Sequence, residues 1–289
     1  MKKLNLTGFI LLLSVFLFNC KDGNTTLSQE KTEQEQRIVS LNATVTEILT
    51  ELGINGKLVG RDATSVYPQW VKDSVQNFGP PWTVSAEALF SVKPDLVFAS
   101  NEDLETEKVK ILEKAGIKVI VFDKSNNLND AKKIMKEVSA YTKDKDYQRL
   151  IDEINSDLSK IENFETKPKV LFVYARGTGL MQVAGKGTPM AEIIELAGGE
   201  NAANEFEEMK PLTPEGLVKS NPDVILMFDS GINSLGGSDG LFQIPGMKET
   251  NAFKNKAIIT MDSSLLSSMG PRIGEAAYQL NQFLKPYAK

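Results

Sequence analysis

An internal repeat constrains this fold more than any other feature of the chain. Ser85–Phe98 (SAEALFSVKPDLVF) aligns with Thr213–Leu226 (TPEGLVKSNPDVIL) at an offset of 128 positions, without a gap. The Glu, Leu, Pro and Asp positions coincide. A looser pair sets Thr46–Gly53 (TEILTELG) against Ala191–Gly198 (AEIIELAG). Two copies over so long a period mean two similar lobes, not a solenoid of short repeats. A chain of 289 residues has room for both.

Each lobe reads as α/β. Ile38–Leu41, Leu96–Ala99, Lys118–Phe122, Val170–Tyr174, Val224–Phe228 and Ala257–Met261 are short, continuous apolar runs. Continuous rather than alternating apolar character suits strands buried on both faces of a parallel sheet. Helical patterns fall between them at 46–52, 103–115, 188–196 and 213–220. Thr188-Pro189 and Thr213-Pro214 each supply an N-cap followed by proline at the first helical position. Over 128–161 apolar residues recur at spacings of three and four, with Lys, Asp and Glu on the other face. This predicts an amphipathic helical connector, with Lys143–Asp146 as a point where it can break. One helical connector leaves a cleft between the lobes and limits hinge closure.

Composition removes several kinds of chemistry. The chain has no histidine and one cysteine. Ser-His-Asp and Cys-His catalysis, His-ligated zinc or haem, and an intramolecular disulfide are therefore excluded. A formal charge of −5 without a basic block argues against nucleic acid as the partner. At the N-terminus, Lys2 and Lys3 precede an apolar run, Phe9–Phe18, in which only Ser14 is polar. Its length suits a signal-peptide core rather than a membrane span. Leu17-Phe18-Asn19-Cys20 resembles the lipobox of bacterial lipoproteins, with Asn19 at a position usually held by a small residue. The resemblance implies a signal peptide over 1–19 and lipidation of Cys20. Residues 21–36 carry one apolar side chain, Leu27, and read as a flexible tether.

From residue 37 to about 287 the sequence resembles the haem-binding periplasmic proteins of bacterial ABC importers, within the group that also binds cobalamin and ferric siderophores. The markers, in order, are Gly60–Pro68, Ser85-Ala86-Glu87, Ala184–Thr188, Ala197-Gly198-Gly199 with Asn201, Leu235–Gly240, Pro245-Gly246 and Gly270-Pro271-Arg272. The resemblance implies an α/β fold of two Rossmann-like lobes joined by a single long α-helix, with the ligand cleft between them. The expected boundaries are a lobe at 37–125, the connecting helix at 126–164 and a second lobe at 165–289.

The resemblance also implies a site. Tyr67 stands where the family carries its haem iron, and a phenolate is a hard anionic donor suited to ferric iron. Arg61, Arg176 and Arg272 are the expected partners of the propionates, because guanidinium matches carboxylate bidentately. Relatives show Gly-Tyr-x-Arg before Ser-Ala-Glu. Here Gly79-Pro80-Pro81-Trp82 takes its place, and Trp82 offers a face for stacking on a porphyrin. A second histidine ligand, found in some relatives, is impossible. Met181, Met209 and Met269 could approach the distal face, although core filling is the commoner role of methionine. Glu87 and Glu215, one per lobe in the repeat, are implied to meet arginines on the permease. Each also fits the first turn of a helix, where a carboxylate complements the dipole.

The resulting expectation is a lipid-anchored, monomeric substrate-binding protein on the periplasmic face of the cell envelope. It carries haem as transported ligand to an ABC permease and its ATPase subunit, and performs no chemistry. Cobalamin or a ferric siderophore is the alternative ligand. An envelope enzyme or adhesive lipoprotein is the alternative class. Gly179–Lys186 fails the spacing of a phosphate-binding loop.

Overall fold

The computed structural model describes residues 35–288, within a unit, Glu35–Lys289, that is compact throughout. The signal peptide, Cys20 and all but the last two tether residues lie outside the described residues.

The first lobe runs β1 (Arg37–Ser40), α1 (Ala43–Glu51), β2 (Lys57–Arg61), α2 (Gln69–Ser74), β3 (Gln76–Asn77), α3 (Ala86–Ser91), β4 (Leu96–Ser100), α4 (Thr106–Lys114) and β5 (Lys118–Phe122). Its sheet has the order β3-β2-β1-β4-β5, parallel throughout. The connector is two helices, α5 (Leu128–Ser139) and α6 (Tyr147–Leu158). They part where the charged Lys143–Asp146 stretch interrupts the apolar stripe. The single long helix of the family expectation is thus a broken pair here.

The second lobe runs β6 (Lys169–Ala175), β7 (Met181–Ala184), α7 (Pro189–Leu196), β8 (Glu200–Asn201), β9 (Met209–Pro211), α8 (Pro214–Ser220), β10 (Val224–Phe228), α9 (Asp229–Ser234), α10 (Ser238–Phe242), α11 (Asn251–Asn255), β11 (Ile258–Met261), α12 (Ser263–Ser267) and α13 (Ile273–Leu284). Its sheet has the order β11-β10-β6-β7-β9, with β8 on the side of β6. β7 is antiparallel to both of its neighbours, so this lobe is mixed where apolar runs predict a parallel sheet.

The repeat is visible residue by residue. β10 is β4 displaced by 128 positions, and α8 follows α3 at the same offset. After each helix one residue takes a left-handed conformation, Lys93 at φ 46° and Asn221 at φ 38°. The Pro-Asp that follows starts the next strand and clamps the lobe's first one. Asp95 Oδ2 accepts from the Arg37 amide at 2.8 Å, and Asp223 Oδ2 from the Lys169 amide at 3.0 Å. The shared aspartate therefore sets the register between the first strand and its partner.

One hydrophobic core passes through the connector. Phe98 of the first lobe, Met135 and Leu150 of the connector, and Phe172 and Leu280 of the second belong to the same buried cluster. α5 packs along α1, and α6 along α13. Gly274 allows that second approach, because a Cβ there would stand 2.8 Å from the Ile154 carbonyl oxygen. A continuous core holds the lobes at one separation more firmly than a bare linker would.

Candidate functional site between the lobes

A helix joining two parallel strands begins at their carboxyl ends, and ligands of α/β sheets bind at that edge. Both lobes turn this edge toward a shared cleft. The cleft has two recesses. One, of about 410 Å³, has Tyr67, Gln69 and Lys72 on the first lobe, with Asp262, Ser264 and Arg272 on the second. The other, of about 310 Å³, is lined by Thr44, Trp82, Asp103 and Lys124, facing Pro189 and Ser267. Short α12 gives Ser264 to the first recess and Ser267 to the second, so it stands between them.

Tyr67 ends a loop that is braced from beneath. Asp62 is fully buried after β2. It accepts from the Thr64 amide at 2.8 Å and the Ser65 amide at 3.2 Å, and from both hydroxyls. Ser65 Oγ meets Thr46 Oγ1 of α1 at 2.8 Å, and Thr46 reaches Ser40 Oγ at 2.8 Å. This buried polar chain ties the loop to β1 and α1, and it is satisfied along its length.

Arg272, the N-cap of α13, crosses from the second lobe. Its guanidinium carbon lies 3.6 Å from the centroid of the Tyr67 ring, a stacked cation–π contact. The same guanidinium makes a bidentate ion pair with Glu47 of α1, at 2.6 and 3.0 Å. Glu47 is 2% exposed. Burial pushes its carboxyl above the usual range, against the opposing pull of Arg272. Burial in turn opposes the charge on Arg272, and the Glu47 carboxylate outweighs it. At the cleft edge, burial also pushes Asp262 up. The Ser264 hydroxyl and the Leu265 and Ser264 amides outweigh that effect and hold the carboxyl below its usual range. Burial raises Asp103 against hydrogen bonds from Ser100 and Asn42.

The structure gathers some expected site residues and separates others. Tyr67 and Arg272 meet. Trp82 is 64% exposed and lines the neighbouring recess. Arg61 is a correction: it is 5% exposed and donates to the carbonyls of Val71, Asp62 and Lys72. It braces the chain under the Tyr67 loop and does not face the cleft. Arg176 is exposed beyond β6, its guanidinium 5.9 Å from the Tyr174 ring, and lines neither recess. Met269 is buried, and Met181 and Met209 pack on hydrophobic clusters, so all three fill core. Glu87 and Glu215 are exposed in the first turns of α3 and α8, at the carboxyl edge of each sheet. The Glu87 amide and the Ser85 hydroxyl hold the Glu87 carboxyl below its usual range. Sequence reasoning missed Glu47 and Asp62. Glu47 did carry a signal, its coincidence with Glu192 in the looser repeat.

Two α/β lobes that hold a braced tyrosine and an arginine across a cleft of ligand size define a substrate-binding protein, which captures rather than transforms. The chain belongs to the periplasmic binding protein family, whose model matches residues 38–265. It is 27% identical to the uncharacterized ABC transporter substrate-binding lipoprotein YvrC of Bacillus subtilis (strain 168), over 99% of this chain and 98% of that one. It is 24% identical to the vitamin B12-binding protein of Vibrio vulnificus (strain CMCP6), over 82% of this chain and 85% of that one. Among solved structures it resembles the periplasmic heme-binding protein RhuT from Roseiflexus sp. RS-1 in apo form. That likeness has a TM-score of 0.82 and 33% identity, over 88% of this chain and 100% of that one. Among the described residues no helix is long and apolar enough to cross a membrane.

Proposed function

We propose that the chain is the substrate-binding lipoprotein of an ABC importer of the haem, cobalamin and siderophore class, and that it captures ferric haem through Tyr67. The observation that carries this reading is the Tyr67 phenol on the cleft wall beneath the Arg272 guanidinium. Ferric iron takes phenolate as an axial ligand. The likeness to a heme-binding structure at 33% identity supports haem over cobalamin, whose binding protein is 24% identical. In this reading Arg272 and Lys72 supply positive charge for the propionates, and Trp82 offers a stacking face in the second recess. Glu87 and Glu215 present one carboxylate per lobe to the permease. Cys20 carries the lipid after removal of 1–19, and 20–36 tethers the lobes at 37–125 and 165–289, joined through 126–164.

The test is a haemin titration of residues 21–289, followed by absorbance, beside Tyr67→Phe. The expected result is a saturable Soret shift with a high-spin ferric phenolate spectrum that the variant loses. Saturable binding unchanged in the variant removes Tyr67 as ligand. No saturable shift in either protein, with saturable binding of cyanocobalamin, makes cobalamin the cargo.

A further inference from the structure

The lobes are clasped twice, and the two clasps are related by the repeat. α13 follows α5 at an offset of 145 positions, and α7 follows α1 at 146 at its start and 145 at its end. Glu47 of α1 and Glu192 of α7 are equivalent, as are the N-caps Arg272 of α13 and Asn127 of α5. Each glutamate reaches the N-terminus of the opposite helix, where a carboxylate complements the helix dipole. Glu192 Oε1 accepts from the Leu128 amide at 3.1 Å. Glu47 instead meets a side chain, the Arg272 guanidinium, with both oxygens.

That substitution adds something the second clasp lacks. The α5 N-cap side chain, Asn127, is occupied with the Asn129 and Asp130 amides of its own helix. Arg272 makes no cap hydrogen bond to its helix. Its guanidinium is held by Glu47 through Nε and Nη2, lies over the Tyr67 ring, and has the Ser264 hydroxyl 3.4 Å from Nη2. A bidentate carboxylate orients a guanidinium plane, which a single bond would leave free to rotate.

We propose that Glu47 is a positioning residue for the ligand site: by gripping Arg272 across the lobes, it holds the guanidinium over the Tyr67 ring and so fixes the phenol toward the cleft. The assignment rests on the reading of Tyr67 as the ligating group, and it makes the Glu47–Arg272–Tyr67 stack the orienting support of that ligand. Outer supports of a metal ligand are commonly worth roughly ten- to hundredfold in affinity.

The test uses protein grown with 3-fluorotyrosine, with the Tyr67 resonance assigned by its loss in Tyr67→Phe, and haemin as probe. Glu47→Gln is expected to shift the Tyr67 fluorine resonance and to weaken haemin binding roughly ten- to hundredfold. Glu192→Gln, which loosens the equivalent clasp, is expected to change neither. Arg272→Lys keeps the charge and loses the fork, so it is expected to act as Glu47→Gln does. It stands in for that variant if circular dichroism shows Glu47→Gln misfolded. Equal effects of Glu47→Gln and Glu192→Gln would reduce Glu47 to a general lobe clasp and overturn the proposal. An unmoved Tyr67 resonance in both Glu47→Gln and Arg272→Lys would overturn it directly. If Tyr67→Phe binds haemin as the unaltered protein does, the haem reading fails by itself, and the fluorine shift still decides the positioning role.

Discussion

The two lobes share a plan and differ in what has been built onto it. Both start from a strand clamped by a Pro-Asp turn, and each sends a glutamate to the N-terminus of a helix outside itself, Glu47 to α13 of the second lobe and Glu192 to α5 of the connector. The first lobe keeps an all-parallel sheet. The second adds antiparallel β7 beside β6 before α7, and β9 pairs on the outer side of β7 before α8 resumes the shared pattern. The insertion sits at one sheet edge. The shared elements, by contrast, lie at the interface and bear the clasps. The difference between the clasps is chemical: one ends on a backbone amide, the other on a cation that also lies on the cleft tyrosine.

The largest expected effect comes from removing that cation. Arg272→Ala leaves Glu47 buried without its partner, which costs about 3–5 kcal/mol. The change that opens the other clasp, Glu192→Ala, removes one hydrogen bond, that of the Leu128 amide, at about 1 kcal/mol. Urea unfolding of the two variants should separate them by about 2–4 kcal/mol. Equal losses would mean that the two clasps carry equal load.

A smaller contrast is expected at the clamps. Asp95 accepts from the Arg37 amide, and Asp223 accepts from the Lys169 amide and also from Asn251 Nδ2 at 2.9 Å. At about 1 kcal/mol for each hydrogen bond, Asp95→Ala should cost about 1 kcal/mol and Asp223→Ala about 2. Thermal or urea unfolding of the pair checks the order, and a larger loss at Asp95 would break it.

Much of the fold was legible because the repeat falls on regular elements. The Leu96–Phe98 and Val224–Leu226 ends of the aligned segments became equivalent strands, and of the six continuous apolar runs four became the inner strands β1, β4, β6 and β10, while β5 and β11 lie at sheet edges. β2 was not legible, because Lys57 and Gly60 break its apolar run and Gly60 is needed for packing: a Cβ there would stand 2.3 Å from the Phe78 ring. β7 and β9 were missed because a short antiparallel edge needs few apolar residues. At the site, Tyr67 and Arg272 were legible from motifs, but their contact was not. Glu47 and Arg272 are 225 positions apart, and a glutamate within an amphipathic helix reads as surface charge until the opposite lobe buries it. Arg61 failed for the converse reason. A motif arginine reads as a ligand contact, and here three backbone carbonyls occupy it.

The smallest expected effect is a pH dependence that belongs to the first clasp. Burial raises the Glu47 carboxyl above its ordinary 4.5, so the folded state holds this proton more tightly than the unfolded state does. Its contribution to stability is then fully present below about 4.5 and declines as pH rises through the raised value. Glu47→Gln keeps the shape and removes the titration. The unfolding free energy of the unaltered protein, measured relative to that of Glu47→Gln, should therefore fall as pH is raised through this window. Urea unfolding of both proteins at a series of pH values reads the difference directly. A difference that grows with pH instead would mean that the Arg272 guanidinium outweighs burial. The clasp would then stabilise the protein most in its ionised form, and the two lobes would be joined most firmly when Tyr67 faces a fully charged pair.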